Sequence, residues 1–188
     1  MMSDLAPGLL VAAPPLGDPN FDQSVVLLAA HGDDGAFGWV INGRSLMTLS
    51  ELLIRADITK SELDIPGTVK LGGPVSQEQI WLVYRSEDRF DGVEGQFEVG
   101  VGITACASRQ VLEAIANGQS SPSVMGLAGY AGWAPMQLEN EIRAGAWLPT
   151  DVEASIVFDV PPGELWRKAY ERIGATPMAF TSRTVGSA

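Results

Sequence analysis

Cysteine is nearly missing: Cys106 is the only one in 188 residues. That excludes an intramolecular disulfide and any cysteine-rich zinc site. Between Ala105 and Ala107 it reads as a small buried hydrophobe, since a reactive thiol needs surroundings that depress its pKa. Histidine is equally scarce. His31 stands alone, so a zinc site with several imidazole ligands is excluded and any imidazole proton transfer has to use that one ring. Positive charge is also short, with 12 Lys+Arg against 23 Asp+Glu and a net charge of −11. The lysines are Lys60, Lys70 and Lys168, the arginines are scattered, and the tightest basic grouping is Arg167, Lys168 and Arg172. Non-specific affinity for nucleic acid comes mainly from neutralising phosphates, so this balance disfavours direct nucleic-acid binding.

Long apolar runs are lacking too. Residues 114–138 carry no charge, but Asn117, Gln119, Ser120, Ser121, Pro122 and several glycines interrupt them, and no stretch approaches a membrane span. The first residues have no basic region, and Pro14 and Pro15 end the short apolar stretch after Gly8. A secretory signal is therefore not expected, and the expected compartment is the cytoplasm, with no membrane partner. What is present is a hydrophobic fraction of 46% with only 19% charged residues. This is the balance of a folded chain rather than a disordered one, and the length suits one domain, expected over 1–180 with a loose tail at 181–188.

Residues 8–13 read as a strand ended by the two prolines, and Asp18, Pro19 and Asn20 as a turn. Residues 24–30 form a continuous apolar run, as in a strand covered on both faces. Residues 31–35 read as a turn and 36–41 as a returning strand, the pair making a hairpin with a longer loop. Leu49, Leu52, Leu53 and Ala56 share a helical face, with Thr48 or Ser50 as cap. Residues 79–84 alternate as a strand, 85–95 as a loop, and 96–101 as a short edge strand. Residues 108–116 read as a helix stopped by Asn117 and Gly118. Residues 124–130 read as a buried strand, and Pro135 as opening a helix that Gly145 ends. Residues 154–158 read as a strand. A last helix opens at Pro161, Pro162 and Gly163, with Leu165, Trp166, Ala169, Tyr170 and Ile173 inward. Helices interspersed with hairpin-like neighbours point to an α+β, mixed α/β fold.

Three ordered blocks resemble the AlgH/YqgE family of bacteria, whose biochemical activity is not settled. The first runs from Gly8 through Asp18, Pro19, Asn20 and Phe21, then Ser24 to Leu28, His31, Gly35, Gly38 and Asn42. The second is Leu71, Gly72, Gly73, Pro74 and Val75. The third is Gly129, Tyr130, Ala131, Gly132 and Trp133, followed by Gln137, Leu138, Glu139, Glu141, Trp147 and Leu148. The resemblance extends from about residue 8 to about residue 174. It implies a bifurcated β-sheet forming a pseudo-barrel with flanking helices, and it brings the label of transcriptional regulator that some members carry. Three positions depart from the family pattern: Gly43 and Arg44 follow Asn42 where a basic or polar residue and then proline are usual. Met136 stands where glycine often precedes Gln-Leu-Glu. Tyr84 and Arg85 stand where a histidine often follows the strand.

The candidate ligand or partner surface comprises Asn42, Gly72, Gly73, Pro74, Tyr130, Trp133 and His31. Glycines let a backbone approach a ligand, and amides near Pro135 are placed to hold an anion. The same glycines also serve tight turns and close strand packing, the weightier reading. Asn42 either locks its loop by side-chain bonds or faces a ligand. Asp33 and Asp34 beside His31 offer oxygens to a hard cation. Glu139, Glu141, Asp18 and Asp22 offer carboxylates, but no spacing pairs them for hydrolysis. No catalytic residue, metal set or cofactor is assigned. The expected function is a non-enzymatic regulatory or binding module with an unknown protein partner or small ligand, acting on transcription only indirectly. The alternatives are an enzyme with a glycine-rich pocket near His31 and a direct DNA-binding regulator.

Overall fold

The computed structural model describes residues 4–14, 23–119 and 122–174. In chain order the elements are β1 (Gly8–Ala12), β2 (Val25–Gly32), β3 (Gly35–Val40), β4 (Ser45–Thr48) and α1 (Leu49–Arg55). Then follow β5 (Thr68–Leu71), β6 (Val75–Arg85), β7 (Phe97–Glu98), β8 (Ile103–Cys106) and α2 (Arg109–Ala116). The last are β9 (Met125–Trp133), α3 (Gln137–Arg143), β10 (Trp147–Thr150), α4 (Ala154–Asp159) and α5 (Pro162–Arg172). The turn expected at 18–20 and the tail at 181–188 lie outside the described residues. No helix among the described residues is long and apolar enough to cross a membrane.

The strands form one sheet in the order β10-β1-β2-β3-β9-β6-β8-β7, with β4 and β5 on a branch. The branch point is β9. Its first half, Gly126 to Ala128, pairs in parallel with β5, and its second half, Ala131 to Trp133, pairs antiparallel with β3. Along its other edge it pairs antiparallel with β6. Gly129, at φ +76, sits between the two halves, a backbone conformation that side chains resist and that turns the strand from one partner to the other. This fork is the bifurcated sheet that the resemblance implies.

The alternation read in 79–84 divides the core as a two-faced strand should. Trp81 and Val83 join a cluster with Leu9, Leu27, Trp39 and Leu127, under α4 and α5. Ile80, Leu82 and Tyr84 join another with Leu53, Val69, Val111 and Ile115, under α1 and α2. A third cluster, with Leu10, Val26, Trp133, Leu138 and Trp147, lies under α3. Thr48 caps α1 in a full capping box with Glu51, and Ser108 caps α2, each supplying an acceptor to an otherwise orphan helical N–H.

Several expectations are corrected. Residues 154–158 are helix, not strand: the amides of Ile156 and Val157 both bond the carbonyl of Glu153, and only Val157 is buried. A five-residue, mostly apolar stretch carries no period long enough to separate the two states. The hairpin of β2 and β3 is tight, with Gly32 facing Gly35 across Asp33 and Asp34, so His31 lies in a strand rather than a turn. Pro135 precedes α3 without entering its first turn, because Met136 is the N-cap.

Met136 also accounts for one departure from the family pattern. Its φ of +65 and ψ of −3 are left-handed, a conformation that costs a side-chain-bearing residue about 1–2 kcal/mol. Met136→Gly is expected to raise stability by roughly 0.5 kcal/mol, because glycine's added freedom in the unfolded chain offsets part of the relief. Met136→Val, with a branched Cβ, is expected to lower it by about 1 kcal/mol. Chemical denaturation of the two variants beside the parent checks both signs.

Candidate functional site

Apart from the side chain of Tyr130, the candidate residues fall into two places in the fold. The first is under α3. His31 Nδ1 accepts the Leu5 N–H at 3.3 Å, which puts the ring proton on Nε2, and Nε2 donates to Glu139 Oε1 at 2.8 Å. The two side chains are 5% and 12% exposed. Both ring nitrogens are thereby engaged in tying the N-terminal segment and α3 to β2. Two residues further along α3, the Oε2 of Glu141 accepts the indole N–H of Trp133 and that of Trp147, both at 2.9 Å. Gln137 donates to the other oxygen at 2.9 Å and accepts the Ala134 N–H at 3.0 Å. Glu139 and Glu141 are fasteners between helix and sheet. Asp18 and Asp22 lie outside the described residues. Asp33 and Asp34 are exposed in the hairpin turn, and no group of three or more metal-ligating side chains occurs among the described residues.

The Glu139 carboxyl is held below the usual glutamate range, first by its bond to a backbone N–H, then by the His31 N–H. A depressed pKa in the folded state means stability that is present at neutral pH and lost as pH falls through the ordinary carboxyl range and below it. The stability difference between the parent and Glu139→Gln is expected to be constant above about pH 5 and to shrink below about pH 4. Thermal melts across that window measure it.

The second place is the fork. A cleft of about 340 Å³ opens there, lined by Asn42, Gly43 and Arg44 after β3, by Leu71 at the end of β5, by Gly73 and Pro74 between β5 and β6, and by Gln77 of β6. Gln23, Ser24 and Val40 complete it. Asn42 does not lock the loop that follows it. Its Oδ1 accepts the Val25 N–H and its Nδ2 donates to the Gln23 carbonyl, each at 2.9 Å, so it holds the start of β2 against the end of β3. Gly72 accepts from Val40 N–H and donates to the Ala128 carbonyl, both at 2.8 Å, bridging the two prongs. Gly73 lies so close to Tyr130 that a Cβ on it would stand 2.1 Å from the Tyr130 carbonyl carbon.

The fork thus brings together Asn42, Gly72, Gly73 and Pro74. The side chain of Tyr130 turns elsewhere, into an aromatic cluster 4.8 Å from the Phe37 ring centroid, where Phe37 also meets Trp39 and Trp81. Trp133 and His31 belong to the α3 group. Sequence reading missed Arg44 and Gln77 as cleft residues. The signal for Arg44 was its place directly after the Asn42–Gly43 turn. Behind the cleft, Lys70 Nζ donates to the Ile41 carbonyl at 3.4 Å, and burial lowers its pKa.

A forked, curling sheet with helices outside it defines an α+β architecture that solved structures share. The solution structure of the AlgH protein from Pseudomonas aeruginosa has a TM-score of 0.73 at 30% identity, covering 100% of this chain and 96% of that one. A crystal structure from Corynebacterium diphtheriae has a TM-score of 0.70 at 24% identity, over 89% of this chain and 86% of that one, and shows the shared fold. The chain belongs to the AlgH-like family, whose model matches residues 9–178. A UPF0301 protein of Anaeromyxobacter sp. (strain Fw109-5) is 42% identical over 184 residues, covering 95% of this chain and 92% of its own. A UPF0301 protein of Stenotrophomonas maltophilia (strain K279a) is 36% identical over 180 residues, with 95% and 94% covered.

Proposed function

We propose that this AlgH-like protein is a non-enzymatic binding or regulatory module whose small-ligand site is the cleft at the fork, and that any effect on transcription is indirect, through a partner. The meeting of Asn42, Gly73 and Pro74 in one cleft carries this reading. Sheet forks and barrel mouths are favoured ligand sites because neighbouring backbones separate there and leave a concave, partly polar surface. Two observations weigh against the alternatives. Both nitrogens of His31 are used structurally, which removes the base that a His31-dependent enzyme needs. The net charge of −11 opposes direct gripping of duplex DNA.

The test is a titration of the ¹⁵N-labelled chain with a library of small polar compounds, followed by amide shifts. Perturbations are expected to centre on residues 42–44 and 71–77 and to disappear in Gln77→Trp, which fills the cleft from an exposed position. Shifts that centre elsewhere, shifts that persist in Gln77→Trp, or a library without any binder would each refute the cleft as the site.

A further inference from the structure

We propose that the cleft at the fork selects a small anionic ligand, one bearing a phosphate or carboxylate group, and that Arg44 is the residue that reads its charge. This rests on the binding reading above and narrows it to a chemical class. The chain carries 23 acidic residues against 12 basic ones, so an average patch of its surface repels anions. The cleft departs from that average. Among the described residues ten line the cleft, none of them Asp or Glu, and Arg44 is the one ionised side chain.

The arginines Arg85, Arg109, Arg167 and Arg172 each lie within 4 Å of a carboxylate. Arg44 is exposed and, like Arg55, Arg89 and Arg143, has no carboxylate within that distance among the described residues, but of these four it alone lines the cleft. An internal partner would quench its charge; without one, the guanidinium keeps its full set of donors for an oxyanion, which it can engage by two parallel bonds.

The backbone beneath Arg44 is fixed. The Leu71 N–H donates to the Arg44 carbonyl at 3.0 Å, and Gly43 passes so near the Leu71 carbonyl that a Cβ would stand 2.2 Å from its oxygen. Ordering the guanidinium on a ligand therefore costs only side-chain freedom. Around it, Gln23, Ser24 and Gln77 supply neutral donors and acceptors. Lys70 does not line the cleft, but its amine on the Ile41 carbonyl is a second positive charge behind the loop that carries Asn42, again with no carboxylate within 4 Å among the described residues. A cleft of about 340 Å³ stands at the lower end of the range for small-molecule sites.

The experiment titrates the full chain, at constant ionic strength, with inorganic phosphate, phenyl phosphate, benzoate and the neutral benzyl alcohol, and follows backbone amides. Saturable shifts at Gly43, Arg44 and Gly73 are expected for the anions and not for benzyl alcohol. Arg44→Met keeps the aliphatic stem and is expected to weaken phenyl phosphate about tenfold or more, with Arg44→Lys between the two and the remaining spectrum unchanged in both variants. Equal affinity of Arg44→Met and the parent would overturn the assignment of Arg44. Benzyl alcohol shifting these amides while the anions do not would overturn the anionic class and leave the cleft standing as a ligand site. If neither these probes nor the polar library perturbs the cleft, both readings fall together.

Discussion

Gly73→Ala is expected to yield a chain with no cooperative melt, or one that melts at least 10 °C below the parent. An added Cβ would stand 2.1 Å from the Tyr130 carbonyl carbon, 2.2 Å from its oxygen and 2.5 Å from the Ala131 nitrogen. All three are main-chain atoms of β9, so no side-chain rotation relieves the clash. Nor can β9 move aside. Tyr130 faces Val75 of β6, Ala131 faces Gly38 of β3, and Ala128 faces Leu71 of β5, so a displacement breaks ladders on both edges. Losses beyond about 4 kcal/mol arise from collisions of this kind, against a total stability on the order of 5–15 kcal/mol. For a chain of this length each kcal/mol shifts the melting temperature by about 2–4 °C. Gly163→Ala is the matched control, since a Cβ there meets nothing within 4 Å. A Gly73→Ala protein melting within 3 °C of the parent would show that the crossing is looser than described.

Glu141→Ala is expected to cost about 3 kcal/mol or more. One carboxylate oxygen accepts two indole N–H groups, and hydrogen bonds to a charged acceptor contribute roughly 1.5–3 kcal/mol each. Trp133 and Trp147 are nearly fully buried, with ring centroids 5.9 Å apart edge to face, so water reaches their nitrogens poorly once the carboxylate is gone. Glu141→Gln keeps an acceptor and is expected to fall between the two. Urea unfolding followed by tryptophan fluorescence reads both the midpoint and the changed surroundings of the indoles. If alanine costs under 1 kcal/mol, Glu141 is not what fastens α3 to the sheet.

Much of this architecture was legible because local chemistry and tertiary role agree along the chain. The alternation of Trp81 and Val83 with Ile80, Leu82 and Tyr84 reports a strand with a core on either face. Thr48 three residues before Glu51 writes a capping box. Pro162 opens α5 and Gly118 closes α2, as their preferred conformations require. Helix α4 was illegible for the opposite reason: Ile156, Val157 and Phe158 are β-formers held in a short helix by what lies beneath them, and propensity yields to packing there. Strands β4, β8 and β10 are four residues each and leave too little period to read.

The site was half legible. Gly72, Gly73 and Pro74 announced a tight turn, and Asn42 announced a polar strand end, but their meeting depends on a parallel pairing of β5 with β9 between residues more than fifty positions apart. No local pattern encodes such a pairing. His31, Glu139 and Glu141 have the residue types of catalytic groups, and only their geometry identifies them as fasteners.

The position of β9 has a consequence for how the chain comes together. Three earlier strands wait for it: apart from the Val40 N–H on the Gly72 carbonyl, the ladders of β3, β5 and β6 meet one another only at residues 125–133. A nascent chain that has emerged only to residue 120 therefore holds separate hairpins with open hydrogen-bonding edges. Closing loops of that span is entropically slow, so the interval before the hub strand arrives is when unfinished edges are most exposed to pairing with a neighbouring chain.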